Sequence, residues 1–267
     1  MSRAAVATAA RRAGAGLLAP LVLVAVLAGS AVAQNRILAA RAQLAAWHED
    51  PARIDRARSL LEAEAAADPR VDTLVLLSET WFLTGDFRAR SDSERLAAYA
   101  EGARIAQRAI ADAPGNERAH LLLAFNTGRS AEITGVVRAV GMVNTIRRES
   151  ETVLRLNPSS VEGLILAGGL AAGLPHFIGG DRAKAETLFG RALDLDPHQT
   201  GGRLELARLY ASERRWADAA RELQAVMDEP APTDRSRWVM SDMPRARTML
   251  FELRERGRVP AIPPQSP

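Results

Sequence analysis

The side chains best suited to chemistry in this chain are its histidines, because the sequence contains no cysteine. A zinc site needs three or four ligands held together, usually by short and regular spacings. The four histidines are scattered instead, and without cysteine neither disulfides nor cysteine metal sites can form. We therefore predict no metal and no cofactor, and packing or surface roles for the histidines. They are His48, His120, His176 and His198.

Other catalytic patterns are equally incomplete. The run Gly179-Gly180-Asp181 could cradle a phosphate, but it lacks the Lys-Ser/Thr that follows in a P-loop. We predict a turn there, with Asp181 as the N-cap of the next helix. No G-x-S-x-G sequence marks a nucleophilic serine. Glu149 and Glu151 are two residues apart, on different faces of a helix. The sequence therefore predicts no enzyme.

The helices that must position any site are defined by a repeated spacing in the C-terminal half. One unit shows A-x3-F, a small residue and a helix-ending proline, the pattern of the second helix of a tetratricopeptide repeat (TPR). The next unit repeats it and ends at Pro230, 33 residues after the previous proline, against a TPR period of about 34 residues. The residues that define these two units are Ala185, Phe189, Ala192, Pro197, Tyr210, Ala219 and Leu223.

Helix-ending prolines continue this pattern toward the N-terminus, with spacings of 45, 44, 39 and 33 residues. We expect the excess over about 34 residues to lie between the two helices of each pair, near residues 85–93, 128–138 and 173–180. The fold prediction is an all-α, TPR-like α-solenoid of antiparallel helix pairs with lengthened intra-repeat turns. A helix from Asp242 to Arg256 should cap it. The prolines are Pro69, Pro114, Pro158, Pro197 and Pro230.

Local signals predict where individual helices begin and end. Ser91 with Glu94, and Ser159 with Glu162, have the spacing of capping boxes that start a helix. The helix that begins at Val71 should end near Gly85-Asp86, and the one that begins at Glu117 near Gly128. A following helix is expected from about residue 136 to residue 156.

Residues 1–33 have the features of a secretory signal peptide. Three arginines precede an apolar run from Leu17 to Gly29, and Ala31-Val32-Ala33 resembles a cleavage site. We expect cleavage after Ala33 and a periplasmic protein with no transmembrane span in the mature chain. Retention of the segment as an anchor is the alternative. The remainder divides into a helical domain, residues 34–256, and a proline-rich tail, residues 257–267, expected to be disordered.

The net charge of +3 belongs to the N-terminal segment. It holds three of the 35 basic residues and none of the 32 acidic residues, which leaves 32 of each in the rest of the chain. A balanced chain lacks the basic surplus typical of nucleic-acid-binding proteins. We therefore predict no nucleic-acid partner.

Three runs of sequence resemble a known family. They begin with Tyr99-Ala-Glu-Gly-Ala-Arg, with Ala124-Phe-Asn-Thr-Gly-Arg and with Leu174-Pro-His-Phe-Ile-Gly-Gly-Asp. The chain resembles, over roughly residues 95–253, the T-component family of TRAP transporters and the related TPR proteins of the regulator of microtubule dynamics type. The resemblance implies a periplasmic helical protein that associates with the solute-binding subunit of the transporter and can form a homo-oligomer with an internal pore. Some members are lipoproteins, whereas this chain lacks the necessary cysteine.

Five residues are candidates to face a partner. Asn126, Arg129 and His176 should lie at the ends of first helices, beside the inserted turns, on the concave surface. Helix capping and hydrogen bonding between repeats are the alternative roles. Trp81 and Phe125 should lie at the same edge, either in the core or lining a groove or pore.

These observations predict a protein-interaction module that binds a protein and could accept a small organic ligand. The partner would be a periplasmic solute-binding protein if the chain is a transporter component. The alternative is a general periplasmic scaffold for cell-envelope assembly with no transport role.

Overall fold

The computed structural model describes residues 34–135 and 140–260, with Val140 described by its backbone alone. All the regular elements within these ranges are helices. The predicted signal peptide, the start of the helix expected at residue 136, and residues 261–267 of the predicted tail lie outside the described residues. The helices are α1 (34–45), α2 (Ala52–Ala67), α3 (Val71–Phe87), α4 (Asp92–Asp112), α5 (Glu117–Thr134), α6 (Val140–Leu156), α7 (Val161–Gly173), α8 (Arg182–Leu195), α9 (Thr200–Ser212), α10 (Trp216–Met227), α11 (Arg235–Arg237) and α12 (Met243–Glu255).

Consecutive helices pack as antiparallel pairs. The pairs are α3 with α4, α5 with α6, α7 with α8 and α9 with α10, and the second helix of each pair also packs on the first helix of the next. Each pair covers the apolar face of its neighbour, so the array buries a continuous surface that one pair alone would leave exposed. The predicted all-α TPR solenoid is thereby confirmed.

The repeat-defining residues explain why the helices approach so closely. Ala185, Phe189 and Ala192 are fully buried on one face of α8. The Phe189 ring lies directly against Gly168 of α7, where an added Cβ would be 2.7 Å from the ring carbon Cε1. In the next pair, Ala219 and Leu223 of α10 are also fully buried. Small residues therefore allow the neighbouring helix to approach closely, and large residues fill the groove beside it.

The extra residues of the longer repeats do not all form turns. Among the described residues, those of the second and third repeats lengthen α3, α4 and α5, and residues 174–181 of the fourth repeat form an extended turn. Helix α3 continues through Gly85 to Phe87 because the Tyr99 ring of α4 packs onto that glycine. Helix α5 likewise continues past Gly128 to Thr134. The end of α3 therefore lies one residue beyond the predicted Gly85-Asp86, whereas the predicted end of α5 near Gly128 was wrong by six residues.

The helix caps follow side-chain chemistry. Ser91 accepts a hydrogen bond from the Glu94 amide at 3.2 Å, and Asp181 accepts one from the Lys184 amide at 2.9 Å, as predicted. Gly179 just before Asp181 has a φ of 100°, a conformation that favours glycine. The cap of α7 is Ser160, which corrects the prediction of Ser159.

That correction has a local cause. Asn157 Oδ1 accepts the Ser159 amide at 3.1 Å, which extends the turn by one residue. Glu162 is not part of a capping box, because its Oε2 accepts from Arg118 Nη1 at 2.5 Å. Arg118 Nη2 also donates to Glu79 Oε1 at 2.8 Å, so this guanidinium joins α3, α5 and α7.

The capping helix α12 packs as predicted. Leu250 and Leu253 are buried in the C-terminal core, Met249 packs against it, and Pro244 lies in the first turn. The sequence did not predict the preceding π-helix, Trp238–Asp242, which connects α11 to α12.

Candidate functional site: the Asp86 cluster

The strongest candidate site lies at the C-terminal end of α3 and is centred on the carboxylate of Asp86. Helix α3 supplies Phe82 and Asp86 one turn apart, so both point to the same side of the helix. Tyr99 comes from α4, Arg129 from α5 and Arg237 from α11. We call these five residues the Asp86 cluster.

Asp86 accepts hydrogen bonds on both oxygens. The Tyr99 hydroxyl donates to Oδ1 at 2.6 Å, and Arg129 Nε lies 3.2 Å from the same oxygen. Arg129 Nη2 and Arg237 Nη1 each donate to Oδ2 at 3.4 Å. The Asp86 side chain is only 7% exposed, so these partners replace most of its water.

The charges in the cluster stabilise one another. Burial, together with the adjacent Asp86 carboxylate, raises the pKa of Tyr99 to about 12, so the phenol remains a donor at neutral pH. Burial disfavours a charge on Arg129, but the carboxylates of Asp86 and Glu132 outweigh that effect and raise the pKa of Arg129. Tyr99 and Arg129 therefore both keep their protons near pH 7, the first as a hydrogen-bond donor and the second as a cation.

Aromatic rings pack against the charged groups of the cluster. The Phe82 ring centroid lies 6.1 Å from that of Tyr99 and 6.0 Å from that of Phe125. The guanidinium carbons of Arg129 and Arg237 lie 5.9 and 5.3 Å from the Phe82 centroid. These distances are typical of cation–π contacts. The site therefore combines a buried carboxylate with an aromatic surface, an arrangement that suits a guanidinium group.

The Asp86 cluster belongs to a wider inner surface, where side chains of α5, α9 and α12 face one another. Burial raises the pKa of Glu205 on α9, against the opposing effects of Arg208 and Arg129. Its side chain is 35% exposed, so it lies inside the curve of the array rather than within the core. Burial, with Arg129 and Arg208 nearby, lowers the pKa of Arg245 on α12.

The structure brings together only two of the five predicted partner-facing residues. Arg129 is in the Asp86 cluster, and Phe125 packs against its Phe82 ring. Trp81 packs elsewhere on α3, against the N-terminal core, with Arg58 over its ring at 4.7 Å. His176 is in the turn between α7 and α8, where Nδ1 donates to the Gly180 carbonyl at 3.1 Å.

Asn126 requires a correction, because it is fully buried and presents nothing to a partner. Its Nδ2 donates to the Leu122 carbonyl at 2.8 Å, and its Oδ1 packs against Gly102 of α4. Its role is therefore to pack α5 against α4. Neither alternative role, helix capping or hydrogen bonding between repeats, describes it, because the Nδ2 bond stays within α5.

The sequence did not identify Asp86 or Arg237 as members of a site. Gly85-Asp86 resembles a helix stop, and Arg237 is one of several arginines in a polar link. The two side chains are separated by 151 positions in the chain. A local pattern could not have paired them.

A second polar pair lies between α5 and α6. His120 Nδ1 is 2.6 Å from Glu149 Oε2, and its Nε2 donates to the Pro114 carbonyl at 2.9 Å. Arg148 Nε donates to the other Glu149 oxygen at 2.9 Å. The pair lines an open cavity of about 350 Å³. Both ring nitrogens and both carboxylate oxygens are occupied, so the pair joins the two helices.

Metal binding finds no support in the part of the chain that the structure describes. No three histidine, aspartate or glutamate side chains there converge into a group that could hold an ion. Within the same ranges, no helix has both the length and the apolar character needed to cross a bilayer.

Comparison with known proteins gives the fold. Residues 177–239 match the tetratricopeptide repeat family. A thermophilic TPR protein of Thermus thermophilus is 21% identical, with a TM-score of 0.59, covering 82% of this chain and 99% of its own. A MamA mutant is 20% identical, with a TM-score of 0.46, covering 74% of this chain and 95% of its own. No curated protein sequence matches this chain significantly. The chain therefore has the fold of TPR proteins, a fold typical of protein-interaction modules.

Proposed function

We propose that this chain is a non-catalytic protein-interaction module of the periplasm. It serves there as the accessory component of a TRAP-type solute transporter and binds the transporter's solute-binding subunit through its inner surface. The Asp86 cluster is the centre of that contact. Export follows from residues 1–33, whose basic start, apolar run and Ala31-Val32-Ala33 are those of a signal peptide.

One observation carries the proposal. Tyr99 and Arg129 belong to two of the runs that resemble the T-component family, and both contact the carboxylate of Asp86. The resemblance therefore coincides with a polar and aromatic site on the inner surface. Solenoid proteins use such concave surfaces to bind their partners.

The third run that resembles the family, from Leu174 to Asp181, supports the proposal because it forms an exposed turn. Residues 174–181 form the extended turn between α7 and α8, and Arg147 Nη2 donates to the Ile178 carbonyl at 2.8 Å. Phe177 at the tip of this turn is 86% exposed. The turn is thus a second surface that a partner could contact, at an edge of the array where insertions often bind.

The experiment begins with the full-length chain, tagged at its C-terminus and produced in its native host. Cell fractionation and N-terminal sequencing test the export. The proposal predicts a periplasmic protein that begins at Gln34. A protein that begins at Met1 and fractionates with the membrane would instead support the retained anchor, and a cytoplasmic protein would contradict export.

The same preparation tests the partner. Affinity capture combined with light scattering is expected to give a complex with a TRAP solute-binding subunit. The mass of the complex reports whether the chain binds as a monomer or an oligomer. A chain that captures envelope-assembly factors and no solute-binding subunit would contradict the transporter role. It would favour the general periplasmic scaffold.

A further inference from the structure

The C-terminal segment of residues 235–242 occupies the inner surface of the N-terminal repeats. We call it the latch segment. Ser236 Oγ lies 2.8 Å from Nδ1 of His48, in the turn between α1 and α2. Arg237 reaches Asp86 at 3.4 Å, and Met240 packs against the apolar group that contains Trp47. The two ends of the solenoid are therefore in contact.

The latch segment is also anchored to the C-terminal repeats. Trp238 Nε1 donates to the Val226 carbonyl of α10 at 2.6 Å. Thr200 Oγ1 of α9 donates to Asp242 Oδ2 at 2.8 Å. The segment thus bridges the two halves of the array. Ser236, Arg237 and Met240 contact the N-terminal half, and Trp238 and Asp242 contact the C-terminal half.

Each half of the array has a core of its own. Buried residues from the range 40–123 form the N-terminal apolar clusters, and those from the range 171–253 form the C-terminal one. Among the described residues, Met240 is the single C-terminal residue that packs against an N-terminal cluster. Detachment of the latch segment from the N-terminal half, with Trp238 still packed on the C-terminal core, would therefore separate the two ends and leave both sets of buried clusters closed.

The charges show what the site requires of its occupant. Around Asp86, the other charged groups are Arg129, Glu132, whose Oε2 accepts from Arg129 Nη1 at 3.0 Å, and Arg245 of α12, on which Asp86 acts across the inner surface. Arg237 supplies the guanidinium that bonds Asp86 Oδ2 from the C-terminal half of the array, with Asp234 at 3.9 Å from its Nε. The same guanidinium covers the Phe82 ring. An occupant without a guanidinium would remove this donor from Asp86 Oδ2 in a site that excludes most water.

The geometry points to a peptide-recognition site that the chain fills with its own latch segment. The site selects a partner segment in which an arginine is followed, three residues later, by methionine or a similar apolar residue. The arginine binds Asp86 and Phe82, and the apolar residue packs against Trp47, as Arg237 and Met240 do in cis. A partner must displace the latch segment, so the free protein is autoinhibited. The inference rests on the proposed interaction function but not on the transporter role.

The test uses a fluorescent peptide with the sequence of residues 232–244 and the complete chain. The double variant Arg237→Ala, Met240→Ala removes the cis contacts with Asp86, Phe82 and the Trp47 group, so the recognition site is free, while the contact of Ser236 with His48 remains. Fluorescence anisotropy is expected to show binding at least tenfold tighter to this variant than to the wild-type chain. Equal affinity for the two proteins would overturn the autoinhibition.

Variants of the peptide test the recognition without changing the folded protein. Arg235 is exposed in the structure and makes no described side-chain contact there, so an Arg235→Ala peptide is the matched control for an Arg237→Ala peptide of equal charge. The first is expected to bind like the parent peptide and the second at least tenfold more weakly. Equal binding of the two would overturn the role of Arg237. Asp86→Asn in the freed chain should abolish the difference between them.

A second copy of the chain could supply the segment instead. Light scattering of the wild-type chain distinguishes this outcome. A stable dimer that is lost in the double variant would show exchange between copies and overturn recognition of a partner.

The outcome of the peptide experiment can also be separated from that of the proposed function. Capture of a solute-binding subunit with no peptide discrimination would refute this inference alone, whereas peptide discrimination without that capture would refute only the transporter role.

Discussion

Gly85 holds together the helix pair that carries the Asp86 cluster, and Gly85→Ala tests this directly. The residue lies inside α3, beneath the Tyr99 ring of α4. A Cβ built on Gly85 would overlap Tyr99 Cε1 and lie 2.7 Å from Cδ1 and Cζ. Tyr99 is fully buried and its hydroxyl is bonded to Asp86, so the ring cannot move aside without losing that bond.

The expected magnitude follows from three opposing effects. Alanine stabilises a helix interior relative to glycine by about 1 kcal/mol. Forcing a methyl group into a packed core costs about 1–3 kcal/mol. Loss of the bond from the Tyr99 hydroxyl to the Asp86 carboxylate costs about 1.5–3 kcal/mol more. The steric and hydrogen-bond losses together exceed the gain in helix propensity. We therefore expect Gly85→Ala to lower the free energy of unfolding by about 1.5–5 kcal/mol.

Urea unfolding followed by far-ultraviolet circular dichroism measures the change. Gly190 in α8 is the matched control, because a Cβ there meets nothing within 4 Å. Gly190→Ala should leave the protein as stable as wild type or up to about 1 kcal/mol more stable. In a Tyr99→Leu background the ring is gone, so adding Gly85→Ala should cost far less than it does in the wild type. A Gly85→Ala protein as stable as the Gly190→Ala protein would refute the packing of Tyr99 on α3.

Three further predictions use the same unfolding assay. Phe189→Ala should lose about 3–5 kcal/mol, because the ring is fully buried against α7; a loss below about 1 kcal/mol would contradict its place in the core. Burial raises the pKa of Asp242, against the opposing hydrogen bond from Thr200, so the folded chain keeps this proton to higher pH than the unfolded chain. The stabilisation that the folded chain gains by binding this proton more tightly is lost as pH rises above the ordinary aspartate pKa. Asp242→Asn should therefore gain stability relative to wild type as pH rises through the acid range, and a difference that is the same at every pH would contradict it. Glu149→Ala should cost about 1.5–3 kcal/mol, because it removes the hydrogen bonds to His120 and Arg148; an unchanged urea midpoint would show that the pair does not join α5 to α6.

The regular part of the fold could be predicted from the sequence because its signals are local. Ala185, Phe189 and Ala192 are three and four positions apart, so any helix places them on one face. Helix-ending prolines act through their own backbone geometry. Such signals identify the helices, their order and the approximate period without knowledge of what packs where.

Tertiary contacts decided the features that the sequence could not show. Gly85 resembles a helix stop until the Tyr99 ring is placed on it. Asn126 resembles a polar surface residue until α4 covers it. The contact between Asp86 and Arg237 depends on the curvature of the whole array, which sums small rotations over every repeat. No single stretch of sequence encodes that sum.

Site-specific photo-crosslinking in the native host tests the central claim most directly, namely that the inner surface binds a partner protein. A photoreactive phenylalanine replaces Phe125, beside the Asp86 cluster, and in a control strain it replaces Phe251, which is 61% exposed on α12. The account predicts a cross-link to a TRAP solute-binding subunit from position 125 and none from position 251. A cross-link to that subunit from position 251 alone, or from neither position, would contradict it.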